Sequence, residues 1–210
     1  MRVVYLHGFA SSPLSTKAQY FRRKFAEIGV ACDVPQLDEC NFEGLTVTGQ
    51  LRVIDQAVAG ETVTLMGSSL GGYLAALYAA RHPNVHRLVL LAPAFQFPKR
   101  WRDRFSPSEI SEWERTGSRM FYHYAYKSDR ALGYQFVKDA VQFEDNPDFR
   151  QPALVAHGVH DDVVPLAASE SFARSHPNVQ LRVVNSGHEL TDVLDQLWNE
   201  TAVFMEFQKR

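Results

Sequence analysis

A serine between two glycines carries the clearest chemical signal in the sequence. Gly67-Ser68-Ser69-Leu70-Gly71 has the form G-x-S-x-G, follows a β-branched run and precedes a predicted helix, rich in alanine, from Tyr73 to Arg81. A strand, a sharp turn and a helix in this order are typical of a nucleophile elbow, which presents a serine hydroxyl at a helix N-terminus. We therefore predict Ser69 as a nucleophile. The alternatives are a Gly/Ser turn in which Ser69 only caps the helix, and Ser68 as the reactive hydroxyl.

The sequence also contains a base in a suitable position. A serine hydroxyl becomes a good nucleophile when an imidazole takes its proton, and a carboxylate then fixes the tautomer of that imidazole. Asn185-Ser186-Gly187-His188 follows the last predicted strand, and its glycine allows a turn back over the elbow. We predict His188 as the general base, and the alternative is a histidine that begins a helix. Turnover should then rise through one ionisation near the ordinary histidine pKa of about 6.5.

The acid has two adjacent candidates. His157-Gly158-Val159-His160-Asp161-Asp162-Val163-Val164-Pro165 follows the penultimate predicted strand, where the acid lies in the chain order serine, acid, histidine. Asp161 occupies the D position of the acid-loop pattern H-G-x-x-D-x-x-V-P and is the predicted orienting carboxylate. Asp162 is the alternative, although a cap for the turn or for a helix near Pro165 suits it better. His160 is interpreted as a loop residue, and surface positions are expected for His82, His86, His123 and His176.

Two backbone N–H groups would complete the site. Tyr5-Leu6-His7-Gly8-Phe9 ends the first predicted strand in H-G-x, where the glycine lets the following N–H point at a substrate oxygen. The second donor in such a site is the residue after the nucleophile. We therefore predict an oxyanion hole formed by the N–H groups of Phe9 and Leu70, each worth about 10²–10³ in turnover. His7 is expected to be structural, with its imidazole bonded to the backbone.

The elements that must position these residues alternate between short apolar runs and helical periodicity. This alternation predicts an α/β fold, with a mainly parallel sheet of about six strands flanked by helices. The predicted strands are Val3–Leu6, Ala31–Val34, Thr62–Met66, Arg87–Leu91, Ala153–Ala156 and Gln180–Val184. Apolar stripes predict helices from about Thr16 to Ile28, over Val47–Val58, and from Leu190 to the end. The candidate residues therefore fall at the carboxyl ends of strands, where open α/β sheets bind ligands.

Residues 95–149 break this alternation. The segment has no clear parallel strand, and about half of the aromatic residues of the chain fall within it. A connection between neighbouring parallel strands needs only about a dozen residues. We therefore predict a helical lid insertion over residues 95–149, with an aromatic face that lines an acyl pocket. The alternative is that these aromatic residues only pack the insertion against the rest of the protein.

Composition excludes several functional classes. The 210 residues are 45% hydrophobic and 22% charged, which predicts a single globular domain over residues 1–210. A formal net charge of −2 does not indicate the basic surface that is typical of nucleic-acid binding, and no apolar run reaches the length of a membrane span. Cys32 and Cys40 match neither a metal nor a disulfide spacing. With no apolar leader, these features predict a cytoplasmic protein without a metal site.

Several of these segments together resemble a known family. Leu6–Pro13, Lys17-Ala18, Pro35–Leu37 and Gly67–Tyr73 resemble the small bacterial YqiA-like serine esterases, which are α/β-hydrolases. The resemblance covers about the first 90 residues. It implies an acyl-ester hydrolase that needs no cofactor and lacks the first two strands of the full hydrolase sheet. Beyond Phe95 the insertion is more aromatic than this family pattern leads us to expect.

The function predicted from these features is a serine esterase or thioesterase that acts on short- to medium-chain acyl groups. Ser69, His188 and Asp161 would form its triad, and a small-molecule ester or thioester would be its substrate. A C–C bond hydrolase, an amidase or a peptidase could use the same triad, because the pocket and not the triad selects the substrate. The alternative outside catalysis is a hydrolase fold that binds a ligand or protein through its aromatic segment.

Overall fold

The computed structural model describes residues 1–207 and contains two β-sheets within that range. Residues 208–210, which the single-domain prediction and the last predicted helix include, lie outside the described residues. The strands are β1 (Arg2–Leu6), β2 (Ala31–Asp33), β3 (Val63–Ser68), β4 (Val85–Leu91), β5 (Ser118–His123), β6 (Ser128–Gly133), β7 (Ala153–Gly158) and β8 (Val179–Val184). The helices are α1 (Thr16–Glu27), α2 (Val47–Val58), α3 (Leu70–Ala79), α4 (Phe97–Asp103), α5 (Pro107–Thr116), α6 (Gln135–Ala140), α7 (Leu166–Ser175) and α8 (Leu194–Phe204).

The central sheet has six parallel strands in the order β2-β1-β3-β4-β7-β8. All six correspond to strands predicted from the sequence, and the predicted α/β fold with a mainly parallel sheet of about six strands is confirmed. Every residue of β3 is buried, as expected for a strand that helices cover on both faces. Leu65 and Met66 point into different core clusters, one on each face of the sheet.

Helices pack on both faces of the sheet through apolar side chains. Ala18, Phe21 and Phe25 of α1 are buried in the same core cluster as Leu197 of α8. On the opposite face, α2 and α3 contribute to the other cluster. The last helix begins later than predicted, because a 3-10 turn over Thr191–Val193 precedes it. No helix within residues 1–207 is long and apolar enough to cross a membrane.

The segment between β4 and β7 contains helices α4, α5 and α6, and also an antiparallel hairpin of β5 and β6. The sequence predicts a helical insertion there, so the hairpin differs from the prediction. Along β5, Phe121 and His123 are less exposed than Met120 and Tyr122, so the strand has one inner and one outer face. This alternation has period two and is typical of a strand. A short alternating run among many aromatic residues is easily mistaken for part of a helix.

Candidate active site

The turn between β3 and α3 holds Ser69 in a strained backbone conformation. Its φ of 54° and ψ of −119° are unusual for a residue other than glycine. The surrounding backbone fixes this geometry: Ser69 N–H donates to the Leu91 carbonyl at 2.9 Å, and Ala94 N–H donates to the Ser69 carbonyl at 3.0 Å. The hydroxyl-bearing residue therefore lies at the N-terminus of α3, at the carboxyl edge of the sheet.

Two glycines make this turn possible. A Cβ atom on Gly67 would lie 2.3 Å from the carbonyl oxygen of Gly71. A Cβ atom on Gly71 would lie 2.1 Å from the carbonyl oxygen of Leu6 in β1. Both distances are far shorter than a van der Waals contact, and both obstacles are backbone atoms. The helix can therefore approach the strands this closely only where these positions have no side chain.

The structure brings Ser69, His188 and Asp161 together in one hydrogen-bonded chain. His188 Nε2 lies 3.0 Å from Ser69 Oγ, and His188 Nδ1 lies 2.8 Å from Asp161 Oδ2. The side chain of Asp161 is fully buried and that of His188 is 11% exposed. With a proton on Nδ1, the imidazole donates to the carboxylate and presents a free Nε2 to the hydroxyl. Such an arrangement can take the hydroxyl proton and stabilise the resulting charge.

The loops that carry Asp161 and His188 run against each other. A Cβ atom on Gly158 would lie 2.4 Å from the carbonyl oxygen of Ser186, so the two backbones are in direct contact. His160 N–H also donates to the Ser186 carbonyl at 3.0 Å. This close approach explains how residues 27 positions apart in the chain form one hydrogen bond.

Asp161 accepts hydrogen bonds at both carboxylate oxygens. Its Oδ1 accepts from the N–H groups of Val163 and Val164 at 2.9 and 2.7 Å. Burial by itself raises the pKa of Asp161, but hydrogen bonds from His157, His188 and Val164 outweigh it and hold the pKa well below its usual range. The carboxyl group is therefore ionised at neutral pH.

The structure separates the two aspartates that the sequence left open. Asp162 is exposed, whereas the side chain of Asp161 is buried against His188. Capping of this turn was assigned from the sequence to Asp162, and that interpretation was wrong. Asp161 itself bonds the turn N–H groups with one oxygen while the other oxygen faces the imidazole. One carboxylate can do both because it has about four acceptor sites.

The predicted oxyanion residues belong to two segments that lie beside this serine. Leu70 is the first residue of α3, and Phe9 follows Gly8 in the loop after β1. A Cβ atom built on Gly8 would be 3.5 Å from the Cβ atom of Ser69, so this loop lies directly against the elbow. Within the described part of the chain, neither the Phe9 nor the Leu70 N–H donates to another protein group.

Three other histidines, His7, His123 and His157, are buried. His7 Nδ1 lies 3.0 Å from the Gly8 carbonyl, and Leu37 N–H donates to His7 Nε2 at 3.3 Å, so both ring nitrogens are engaged by backbone. Burial lowers the pKa of His7. His123, expected at the surface, is only 1% exposed because β5 turns it inward against the ring of Phe42. His157 received no role from the sequence, yet it lies 3.1 Å from Asp161 Oδ2.

Aromatic residues of the insertion surround the side chain of Phe9. Its ring centroid lies 4.9 Å from that of Trp101, 5.7 Å from that of Phe121 and 5.9 Å from that of Phe136. In addition, Tyr124 N–H donates to the Ala10 carbonyl at 2.9 Å. The insertion is therefore attached to the loop that follows β1, next to the elbow.

Within residues 1–207, no cluster of histidine, cysteine or acidic residues could hold a metal ion.

A family model matches residues 2–205, which is nearly the whole chain. The chain belongs to the uncharacterised protein family UPF0227. The match confirms the family resemblance inferred from the sequence. None of the curated protein sequences is significantly similar to the chain.

Solved structures similar to this one have the α/β-hydrolase fold. Est1E from Butyrivibrio proteoclasticus with ferulic acid bound has a TM-score of 0.84 at 21% identity, over 99% of this chain and 88% of that chain. A putative hydrolase from Agrobacterium vitis has a TM-score of 0.83 at 22% identity, over 97% and 87%. Mouse alpha/beta hydrolase domain-containing protein 10 has a TM-score of 0.79 at 19% identity, over 99% and 90%. At these identities the likeness establishes the fold.

Proposed function

We propose that the protein is a serine hydrolase that cleaves small acyl esters or thioesters, with Ser69 as nucleophile, His188 as general base and Asp161 as the orienting acid. One observation carries this proposal. The hydrogen-bonded chain from Ser69 through His188 to a buried, ionised Asp161 begins at a strained elbow, where the serine hydroxyl is presented at a helix N-terminus. Strain of this kind persists where the surrounding structure enforces it, and it is common at functional sites.

The chemistry proceeds in two halves. In the first, Ser69 Oγ attacks the acyl carbon while its proton passes to His188 Nε2, and the Phe9 and Leu70 N–H groups stabilise the oxyanion. The bond to the leaving group then breaks, and His188 returns the proton to the departing alcohol or thiol. In the second half, water attacks the acyl-enzyme while His188 takes its proton. The acid product leaves and Ser69 regains its hydrogen.

The insertion supports a short- to medium-chain acyl substrate. Its aromatic rings surround Phe9, whose N–H is one of the proposed oxyanion donors, so an apolar cluster lies beside the proposed reacting centre. Est1E is solved with ferulic acid, and another neighbour is described as one of two metagenome-derived lipolytic enzymes. We propose that residues 95–149 act as a lid within a single domain.

The free thiols of Cys32 and Cys40 suit a reducing compartment, and we propose a cytoplasmic location.

The proposal is tested by assaying a panel of p-nitrophenyl esters, acyl thioesters and anilides of matched acyl groups. We expect hydrolysis of the esters or thioesters, and a loss of at least about 10⁴ in kcat for Ser69→Ala. Ser68→Ala is the matched control, because it removes the neighbouring hydroxyl and should retain turnover. Turnover that persists in Ser69→Ala, or no turnover on any ester or thioester, would contradict the proposal.

A further inference from the structure

His157 is a fully buried histidine that the mechanism above does not use. It lies near the end of β7, four residues before Asp161, and is 0% exposed. Its Nε2 lies 3.1 Å from Asp161 Oδ2 and 2.9 Å from the carbonyl oxygen of Val164. Its Nδ1 lies 2.8 Å from the hydroxyl of Ser169 in α7. Both ring nitrogens therefore have partners in a place without access to solvent.

These partners determine where the proton of the ring lies. A carboxylate oxygen and a backbone carbonyl oxygen both face Nε2, and both can only accept hydrogen bonds. Nε2 must therefore carry a hydrogen. The hydroxyl of Ser169 can donate to an unprotonated Nδ1, so the neutral ring satisfies all three contacts. A charged ring would add a desolvation cost at a fully buried site.

Asp161 Oδ2 lies close to a ring nitrogen of both His157 and His188. Asp161 Oδ2 accepts from His188 Nδ1 at 2.8 Å and faces His157 Nε2 at 3.1 Å. We propose that His157 is a positioning residue, which donates a hydrogen bond to Asp161 Oδ2 and thereby weakens the stabilisation of protonated His188. This inference rests on the proposed function. The N–H group of His157 would neutralise part of the negative charge of Asp161 Oδ2, which then attracts the His188 imidazolium less strongly.

The predicted consequence is a change in the pH dependence of turnover. Without the donor at His157, Asp161 Oδ2 becomes a stronger acceptor and stabilises the imidazolium form of His188. The neutral base then predominates only at higher pH, so the acid limb of the profile moves up. Asp161 keeps its three other donors, the N–H groups of Val163 and Val164 and Nδ1 of His188, and it stays ionised.

Two other charged groups lie near Asp161 and His188, and neither is a partner of His157. Lys17 of α1 donates to the Glu189 carbonyl at 2.6 Å and lies 3.7 Å from the Glu189 carboxylate, next to His188. Arg100 of α4 donates to the Val163 carbonyl at 2.5 Å, beside the acid loop. Neither group contacts His157, so a shift that follows substitution of His157 reports on its own hydrogen bond.

Three variants separate positioning from packing. His157→Phe keeps a ring of similar shape without an N–H group, and His157→Gln supplies an amide N–H that can reach Asp161 Oδ2. Ser169→Ala removes the partner of Nδ1 and leaves the contact with Asp161. In kcat/KM profiles, we expect the acid-limb midpoint of His157→Phe to rise by about one pH unit, a tenfold loss of activity on the limb. We expect His157→Gln and Ser169→Ala to keep the wild-type midpoint.

A midpoint unchanged in His157→Phe would overturn the proposal and show that the ring only fills space. If His157→Phe does not fold, ¹⁵N NMR of histidine-labelled wild-type protein supplies the test. The proposal predicts an Nε2–H tautomer for His157. An Nδ1–H tautomer would overturn it. If the wild type has no Ser69-dependent turnover, the proposed function fails, and the NMR result still decides whether His157 Nε2 carries the hydrogen that this bond requires.

Discussion

The elbow around Ser69 is held in place by contacts of the backbone, whereas the insertion, residues 95–149, is held in place by contacts of its side chains. Around Ser69 the geometry is fixed by backbone: glycines at 67 and 71 admit carbonyl oxygens of neighbouring segments where a Cβ atom would lie only 2.1 to 2.3 Å away. In the insertion, ring contacts such as those between Trp101, Phe121 and Phe136 form much of the packing. One region thus depends on the absence of side chains, and the other on their size.

We expect this difference to separate the residues that perform the proposed chemistry from those that select the acyl group. Backbone constraints tolerate almost no substitution, whereas aromatic packing can be rearranged by exchanging one ring for another. Phe9 belongs to both regions, since its N–H is a proposed oxyanion donor while its ring contacts the insertion. We expect substitutions at the elbow and the acid loop to affect folding or turnover, and substitutions in the insertion to affect the choice of acyl group.

The largest effect is expected at the acid. In Asp161→Asn the amide can donate to His188 and favours the wrong imidazole tautomer, so kcat should fall by about 10⁴. Asp162→Asn is the matched control, because this neighbouring side chain is exposed and should cost little. Steady-state kinetics of the two variants at neutral pH provide the measurement. If the two variants exchanged their effects, Asp162 would be the acid.

The next effect concerns the stability of the elbow. Gly71→Ala would force a Cβ atom to within 2.1 Å of the Leu6 carbonyl oxygen, so the strand or the helix must move. We expect a loss of more than about 4 kcal/mol in the free energy of unfolding, which is exceptional for one substitution. Gly29→Ala is the control: its φ is +72° but no atom lies within 4 Å, so only about 1 kcal/mol is expected. Equal losses in urea denaturation would show that the close approach is not what stabilises the elbow.

The smallest effect is expected in the insertion. If the insertion covers the acyl group, activity should rise about fourfold per methylene until the pocket is full, since a buried methylene is worth about 0.8 kcal/mol. Phe121→Ala removes a ring that contacts Phe9 and should move the preferred acyl length, while Ser69 still reacts. Tyr122→Ala, the exposed neighbour on β5, should leave the preference unchanged. An unaltered preference in both variants would mean that these aromatic residues only pack.

The sequence predicted the six central strands and brought Ser69, Asp161 and His188 forward as candidates because their signals are local. Apolar runs, glycine spacing and short motifs are complete within about ten residues, and the parallel fold then places the strand ends at one edge of the sheet. The sequence favoured Asp161 over Asp162 only because Asp161 occupies the D position of the acid-loop pattern. The structure distinguishes the two, because Asp161 is the one that contacts His188.

The features that the sequence did not predict depend on contacts between distant segments. The hairpin of β5 and β6 contains polar residues in β6, and its inner face is covered by residues such as Phe9 and Phe42 from far earlier in the chain. His123 is buried for the same reason. The role of His157 was missed although the residue stood in the acid-loop motif, because its contact with Asp161 appears only when the loop is folded.

The central claim is that Ser69 is activated by His188. Its most direct test is mass spectrometry of the protein after reaction with a fluorophosphonate probe, with the modified peptide sequenced. We predict one adduct per chain on Ser69, and a labelling rate that falls by orders of magnitude in His188→Ala. An adduct on Ser68 or on another residue, or labelling of Ser69 that is undiminished in His188→Ala, would contradict the claim.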